Sequence, residues 1–306
     1  MLLLDGATAT ELQRRGVRVR PPWWTTAALL SGRGRAVLRA VHSDYVRAGA
    51  QMVTANTFRC NLRALLAAGA GAAGAARLVS GAVRIARAAA GGHGVAVAGS
   101  MAPVMDCYRP DLVPDTTSLR DEHAWLAREL VTAGVDLILV ETMNCLREAR
   151  VATEQALAAG ARVAVSLVAG TGDALLSGEA IGPAVAALER DGAEAVLVNC
   201  APPARTERCL RRMREVATGP IGAYPNLEDR SGLAPATHVD RHLPASVTPL
   251  ALAETAVRWR DEIAVTLLGG CCGSSPAHLR ELRRAVAPAG SEPVPRDDPT
   301  AGTTTI

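Results

Sequence analysis

The chain has 306 residues, 49% of them hydrophobic and 21% charged, with a formal net charge of +3 and no apolar run near membrane-spanning length, so neither nucleic acid nor a membrane is called for as a partner. All 33 basic residues are arginine. With no lysine, Schiff-base aldolases, pyridoxal-phosphate enzymes and P-loop nucleotidases are excluded, since each needs that side chain in its site.

Eight apolar, β-rich runs alternate with helical patterns along the chain. The runs are 2–4, 51–54, 95–98, 136–140, 163–168, 195–198, 221–224 and 265–268. Between them, apolar residues at three and four spacing predict helices over 34–48, 72–90, 118–133, 146–159, 183–190, 203–217, 249–261 and 276–286. Ser118 and Ser275 stand where N-caps belong, with Pro276 at the first helical position, and Gly134, Gly160 and Gly192 stand where C-terminal glycines belong. Eight such units predict an α/β chain folded as one (β/α)8 barrel over residues 1–286, with an open doubly wound sheet as the alternative. From about Ala287 the composition turns to Pro, Gly, Ser, Asp and Thr, and a disordered tail over 287–306 is expected. Gly69, Gly71 and Gly74 fit a dinucleotide-binding spacing, but they follow a helical segment and no acid stands about 20 positions on, so they read as a connection. The start, Met1 to Asp5, reaches an acid too early for a signal peptide, and seven cysteines is an odd number. A reduced, cytoplasmic setting is expected.

In such a barrel the site forms where the strands end. The residues there are unusually polar: Asp5, Asn56, Asp106, Glu141, Asn144, Asn199, Cys200, Tyr224, Asn226, Cys271 and Cys272. The last strand runs into Gly269-Gly270-Cys271-Cys272-Gly273, where glycines let the backbone leave the strand and turn two adjacent thiols to one point. Cys200 ends another apolar strand. Three thiolates at strand ends suit Zn2+ and leave one coordination place for a thiol substrate, whereas the plainer alternative is three small buried hydrophobes. Asp5 and Glu141 at a barrel mouth need a cation or donors, and each is expected to hold an ammonium or order a loop backbone; helix capping is the alternative. Phe58, Trp23 and Trp24 offer aromatic faces to a methylated cation, or simply pack their loops. His238, Asp240 and His242 read as a solvated loop rather than a second metal site. Cys60, Cys107 and Cys145 also follow strands and leave a different ligand set open, while Cys209 belongs to a helix core.

These residues resemble the homocysteine S-methyltransferase family over nearly the whole chain. The resemblance is carried by Leu3-Leu4-Asp5-Gly6 with Thr8 to Leu12, His42 to Ala50, Thr54 to Phe58, Val140-Glu141-Thr142, Val198-Asn199-Cys200, Tyr224-Pro225-Asn226 and Gly269 to Gly273. It implies a zinc barrel with Cys200, Cys271 and Cys272 as ligands and the homocysteine sulfur as the fourth. It also implies Asp5 and Glu141 against the amino acid, with Gly6, Asn56, Asn199 and Phe58 as further substrate-binding positions. The implied reaction is methyl transfer from a sulfonium donor, S-methylmethionine or S-adenosylmethionine, to homocysteine, by a monomer or homodimer. Other readings are a different thiol or donor, a barrel with structural zinc only, and a metal-free redox protein using the vicinal cysteines. Two loops depart from the family pattern. Residues 104–115 form a short loop holding Cys107 and Tyr108, and residues 227–248 lack the aromatic residues that often border the site; both bear on the choice of donor and thiol. Folate-dependent relatives carry cobalamin modules with no counterpart in this sequence.

Overall fold

The computed structural model describes residues 1–92, 94–170, 172–230 and 241–287. The expected tail, apart from Ala287, and the positions of His238 and Asp240 lie outside the described residues. The elements in chain order begin with β1 (Leu2–Leu3), α1 (Thr8–Arg14), a 3-10 turn (Trp24–Leu29), α2 (Gly32–Ala48), β2 (Met52–Ala55), α3 (Leu62–Ala67), α4 (Ala72–Ala90) and β3 (Ala96–Met101). They continue with α5 (Thr116–Thr132), β4 (Leu137–Met143), α6 (Leu146–Ala158), β5 (Val163–Val168), α7 (Ile181–Arg190) and β6 (Ala195–Asn199). The chain then forms α8 (Pro203–Val216), β7 (Ile221–Tyr224), α9 (Pro249–Ile263), β8 (Leu267–Leu268) and α10 (Pro276–Val286).

All strand pairs are parallel and run in the order β1, β8, β7, β6, β5, β4, β3, β2. A bridge from Leu4 to Met52 closes the ring between β1 and β2, with Gln51 Oε1 accepting from the Leu3 N–H at 2.9 Å. The fold is the expected (β/α)8 barrel. Strand side chains alternate faces. Accordingly Leu137 and Leu139 of β4 point into the barrel with Leu4, Ala98, Ala164, Ala195, Leu197 and Tyr224, whereas Ile138, Val140, Val163, Val165, Val196 and Val198 face outward under the helices. Burial on both faces explains why these strands read as continuous apolar runs. No described helix is long and apolar enough to cross a membrane.

Several local expectations shift. The cap of α5 is Asp115, whose carboxylate accepts from the Ser118 N–H at 3.0 Å; the helix starts two residues earlier than its apolar pattern. Ser275 holds the N-cap position of α10, but its hydroxyl pairs with His278 Nδ1 at 2.9 Å. Gly134, Gly160 and Gly192 take the left-handed conformation expected after helices. Helices α1 and α3, of 7 and 6 residues, are too short to show a periodic pattern. Gly69 and Gly71 join α3 to α4, as a connection should, whereas Gly74 lies inside the first turn of α4.

Candidate active site

The floor of the site is a polar layer set by strand parity. Above the inward apolar residues, the next inward positions are Thr54, Ser100, Glu141, Ser166, Asn199 and Tyr224, one from each of β2 to β7. They bond to one another and to Asp5. Asp5, 6% exposed, accepts from the Thr54 backbone N–H at 2.9 Å and the Thr54 hydroxyl at 3.1 Å. Glu141, 8% exposed, accepts from the Ser100 hydroxyl and, at 3.0 Å, from the Tyr224 hydroxyl. Neither carboxylate caps a helix.

Burial pushes Asp5 from 3.8 up to about 7, opposed by the Thr54 hydrogen bonds and aided by the nearby Glu141 charge. Burial also raises Glu141, against the pull of Ser100 and Tyr224. Two acids held reluctant to ionise in one buried floor favour a cationic guest.

Asn199 completes the layer. Its Oδ1 accepts from the Ser166 hydroxyl at 2.8 Å and its Nδ2 donates to Thr142 Oγ1 at 2.8 Å. The β4–β5 register shifts between Val140 and Met143, and Thr142 has φ of 60°. That bulge turns a side chain of otherwise outward parity to the inside.

The three expected thiols converge directly above. Cys200 leaves β6 with φ of 54°, its N–H donating to the Tyr224 carbonyl at 3.2 Å. The stretch after β8 is bound to its surroundings: Gly270 N–H to Asp5 O at 3.2 Å, Cys271 N–H to Pro225 O at 2.9 Å, and Gly273 N–H to Thr10 Oγ1 at 3.0 Å. Gly273 has φ of +81°, and a Cβ there would lie 2.6 Å from Glu228 N. The glycine is a steric requirement of how the thiols are presented.

The sulfurs of Cys200, Cys271 and Cys272 all lie within 4.8 Å of one another. Cys200 and Cys271, 5.6 Å apart at Cα, are disulfide-bonded, and Cys272 Sγ lies 3.9 Å from Cys271 Sγ. The vicinal pair is therefore not the bonded one. With zinc–sulfur bonds of about 2.3 Å, tetrahedral geometry sets sulfurs about 3.8 Å apart. Once reduced, the three thiols fit zinc by donor type, and the 3.9 Å between Cys271 and Cys272 already matches that spacing. Desolvation, with Glu228 and Cys107 nearby, pushes the Cys272 thiol up to about 12, so its thiolate needs a cation beside it.

The other cysteines do not enlarge the cluster: among the described residues only these three are grouped for a metal. Cys60 contacts Thr26, Cys145 precedes α6, and Cys209 is buried on α8. Cys107 is buried too, yet near enough to feel Arg59 and Glu141, and Cys272 in turn feels Cys107. Its loop is pinned from several sides. Val104 N–H donates to Glu148 at 2.8 Å, while the Val104, Met105 and Asp106 carbonyls accept from Asn61 at 3.3 Å, Arg59 at 3.1 Å and Asn144 at 3.3 Å.

The remaining expected residues are placed as follows. Gly6 packs where a Cβ would meet Ser274 Oγ and the Tyr45 ring at 2.7 Å. Asn56 donates to the Thr25 carbonyl at 2.9 Å, holding the loop after β1, and Asn226 Oδ1 accepts from Glu228 N–H at 2.9 Å. Phe58 and Trp24 each turn a ring toward the Arg59 guanidinium, and Trp23 packs partly buried against the core. Ser100, Ser166 and Arg59 are not singled out in the sequence, and Thr54 and Thr142 enter only as parts of motifs without a site role. Inward parity alone marks Thr54, Ser100 and Ser166.

A sequence profile described as homocysteine S-methyltransferase matches residues 2–286. The methionine synthase of Mycobacterium leprae is 33% identical over 277 residues, 86% of this chain but 22% of that protein. This chain thus spans about a fifth of the methionine synthases it matches. The homocysteine S-methyltransferase of Escherichia coli is 28% identical over 301 residues, covering 92% of this chain and 94% of that one. The crystal structure of the homocysteine methyltransferase MmuM from Escherichia coli in a metallated form superposes with a TM-score of 0.79 at 26% identity, covering 93% of this chain and 96% of that chain.

Proposed function

Because this chain belongs to the homocysteine S-methyltransferase family, we propose that it transfers a methyl group from a sulfonium donor, S-methylmethionine or S-adenosylmethionine, to the thiol of homocysteine, giving methionine. Cys200, Cys271 and Cys272 would hold zinc, in line with the metallated state of the similar MmuM structure. Zinc, when bound, lowers the pKa of a thiol that it ligates, so that a nucleophilic thiolate exists at neutral pH.

The chain's own side chains do the positioning. Asp5 and Glu141 receive the α-ammonium, and Thr54, Ser100 and Tyr224 hold those carboxylates in place. The Ser166–Asn199–Thr142 bonds fix the turn that directs Cys200 inward. The acceptor sulfur then attacks the donor methyl carbon in line: a new sulfur–carbon bond forms as the old one breaks, and the donor leaves as a neutral thioether. Such a displacement needs alignment more than acid or base. Opposite charges cancel as it proceeds, which a desolvated site favours. A reducing compartment such as the cytoplasm keeps Cys200 and Cys271 as thiols.

The observation that carries this reading is the convergence of three thiols from two strand ends over two buried acids. Protein reduced and loaded with zinc should form methionine from homocysteine and at least one of the two donors, and lose that activity on chelation. Absence of methionine with both donors would sink the proposal.

A further inference from the structure

Arg59 stands in the loop after β2, between two aromatic rings. Its guanidinium carbon lies 5.3 Å from the Trp24 ring centroid and 5.5 Å from that of Phe58. One nitrogen, Nη1, donates to the Met105 carbonyl at 3.1 Å. A guanidinium has five N–H donors in one plane. Its only hydrogen bond among the described residues is that one, and no carboxylate there pairs with it. Stacking limits the rotation of the side chain and strips water from its faces, leaving the in-plane N–H edge to be satisfied.

The surroundings give that edge a direction in the chemistry. Arg59 is close enough to Cys107 to favour its thiolate, and Cys107 and Tyr108 in turn neighbour Cys272. Through the Met105 carbonyl, Arg59 is bonded to the same loop that carries Cys107 and Tyr108, and so lies on the thiol side of the barrel mouth. Asp5 and Glu141 make the floor acidic, whereas Arg59 makes this part of the wall basic. The aromatic faces turned toward Arg59 already carry a cation, so a sulfonium brought to the same faces would meet like charge. What suits the position is the anionic end of an incoming molecule.

We propose that Arg59 binds the α-carboxylate of an amino-acid methyl donor, holding the donor by that end while its sulfonium approaches the thiol cluster. This rests on the methyl-transfer reading. It makes the site select donors that carry a carboxylate over simple sulfonium ions, and it gives the pinned 104–108 loop a task, since the Met105 carbonyl sets the plane of the guanidinium.

The test compares S-methylmethionine with trimethylsulfonium, a methyl donor without a carboxylate, on zinc-loaded wild-type, Arg59→Gln and Arg59→Lys proteins. Arg59→Gln should lower kcat/KM for S-methylmethionine about 10- to 100-fold more than for trimethylsulfonium, mostly through KM, as expected for losing a charge-assisted hydrogen-bonded pair. Arg59→Lys should recover part of that selectivity, because it restores the charge without the fork. Where trimethylsulfonium binds without turning over, its inhibition constant replaces KM in the comparison. Equal losses with both donors would mean that Arg59 only braces the loop, and would overturn the inference while leaving methyl transfer intact. Failure of the wild-type protein to use any sulfonium donor would overturn both.

Discussion

Asp5→Asn should change how stability depends on pH. In the folded protein the Asp5 carboxyl titrates near 7 rather than at 3.8, because burial disfavours its charge. A raised folded-state pKa means that the fold prefers the neutral acid. That contribution is fully present below about 3.8 and is lost as pH rises through about 7. The whole interval corresponds to roughly 4 kcal/mol, and the part between pH 5 and pH 8 to roughly 3 kcal/mol. Asparagine is neutral throughout and keeps both local bonds, since its oxygen can accept from the Thr54 N–H and its amide can donate to the Thr54 hydroxyl. Urea unfolding of the reduced, metal-free proteins at pH 5, 6, 7 and 8 should therefore show the variant gaining on the wild type by roughly 3 kcal/mol across that range. A gap that stays constant with pH would refute the assignment of a buried, reluctant acid. The same carboxyl links stability to function: the wild-type KM for homocysteine should rise below about pH 7, as the acid loses the charge that attracts an ammonium, and the variant should lack this dependence.

Two further substitutions test the thiol cluster. Gly273→Ala places a Cβ 2.6 Å from Glu228 N at a residue with φ of +81°, so it should destabilise the protein by about 1–3 kcal/mol and lower zinc affinity by displacing Cys272; unchanged zinc binding by competition with a chromogenic chelator would contradict this. Cys272→Ser removes one thiolate from a cluster whose sulfurs lie within 4.8 Å. Zinc content after dialysis and methionine formation should fall together, and full metal retention would show that Cys272 is not a ligand.

Much of this was legible because parity and periodicity survive burial. Continuous apolar strands such as Val163–Val168 and helices such as Ala72–Ala90 were readable to the residue, since both strand faces are covered and the helix keeps one apolar side. The thiols and the two acids stood out because charged or soft side chains at the ends of apolar strands have few structural uses. Other parts needed contacts between segments distant in sequence. Glu148, in the first turn of α6, reads as an ordinary helix-surface acid. It is fully buried, paired with His123 of α5 at 3.2 Å and holding the Val104 N–H, which only the packing of α5 on α6 reveals. Arg59 likewise gains meaning only when three loops bring Trp24, Phe58 and Met105 around it.

The clearest limit of periodicity lies at Cys200. Along β6, Ala195 and Leu197 point into the barrel and Val196 and Val198 point out, so Asn199 points in and Cys200, by the same alternation, would point toward the helices. Its sulfur nevertheless meets those of Cys271 and Cys272. The left-handed backbone at Cys200 reverses the alternation, as the bulge does at Thr142, and Asn199 bonds to Thr142 between these two exceptions. The regular part of each strand therefore builds the wall, and the residue at which regularity ends aims the chemistry. On an unbroken strand the Cys200 thiol would point toward the helices and away from Cys271 and Cys272, so the departure from β geometry at this residue is a condition of the cluster rather than a by-product of it.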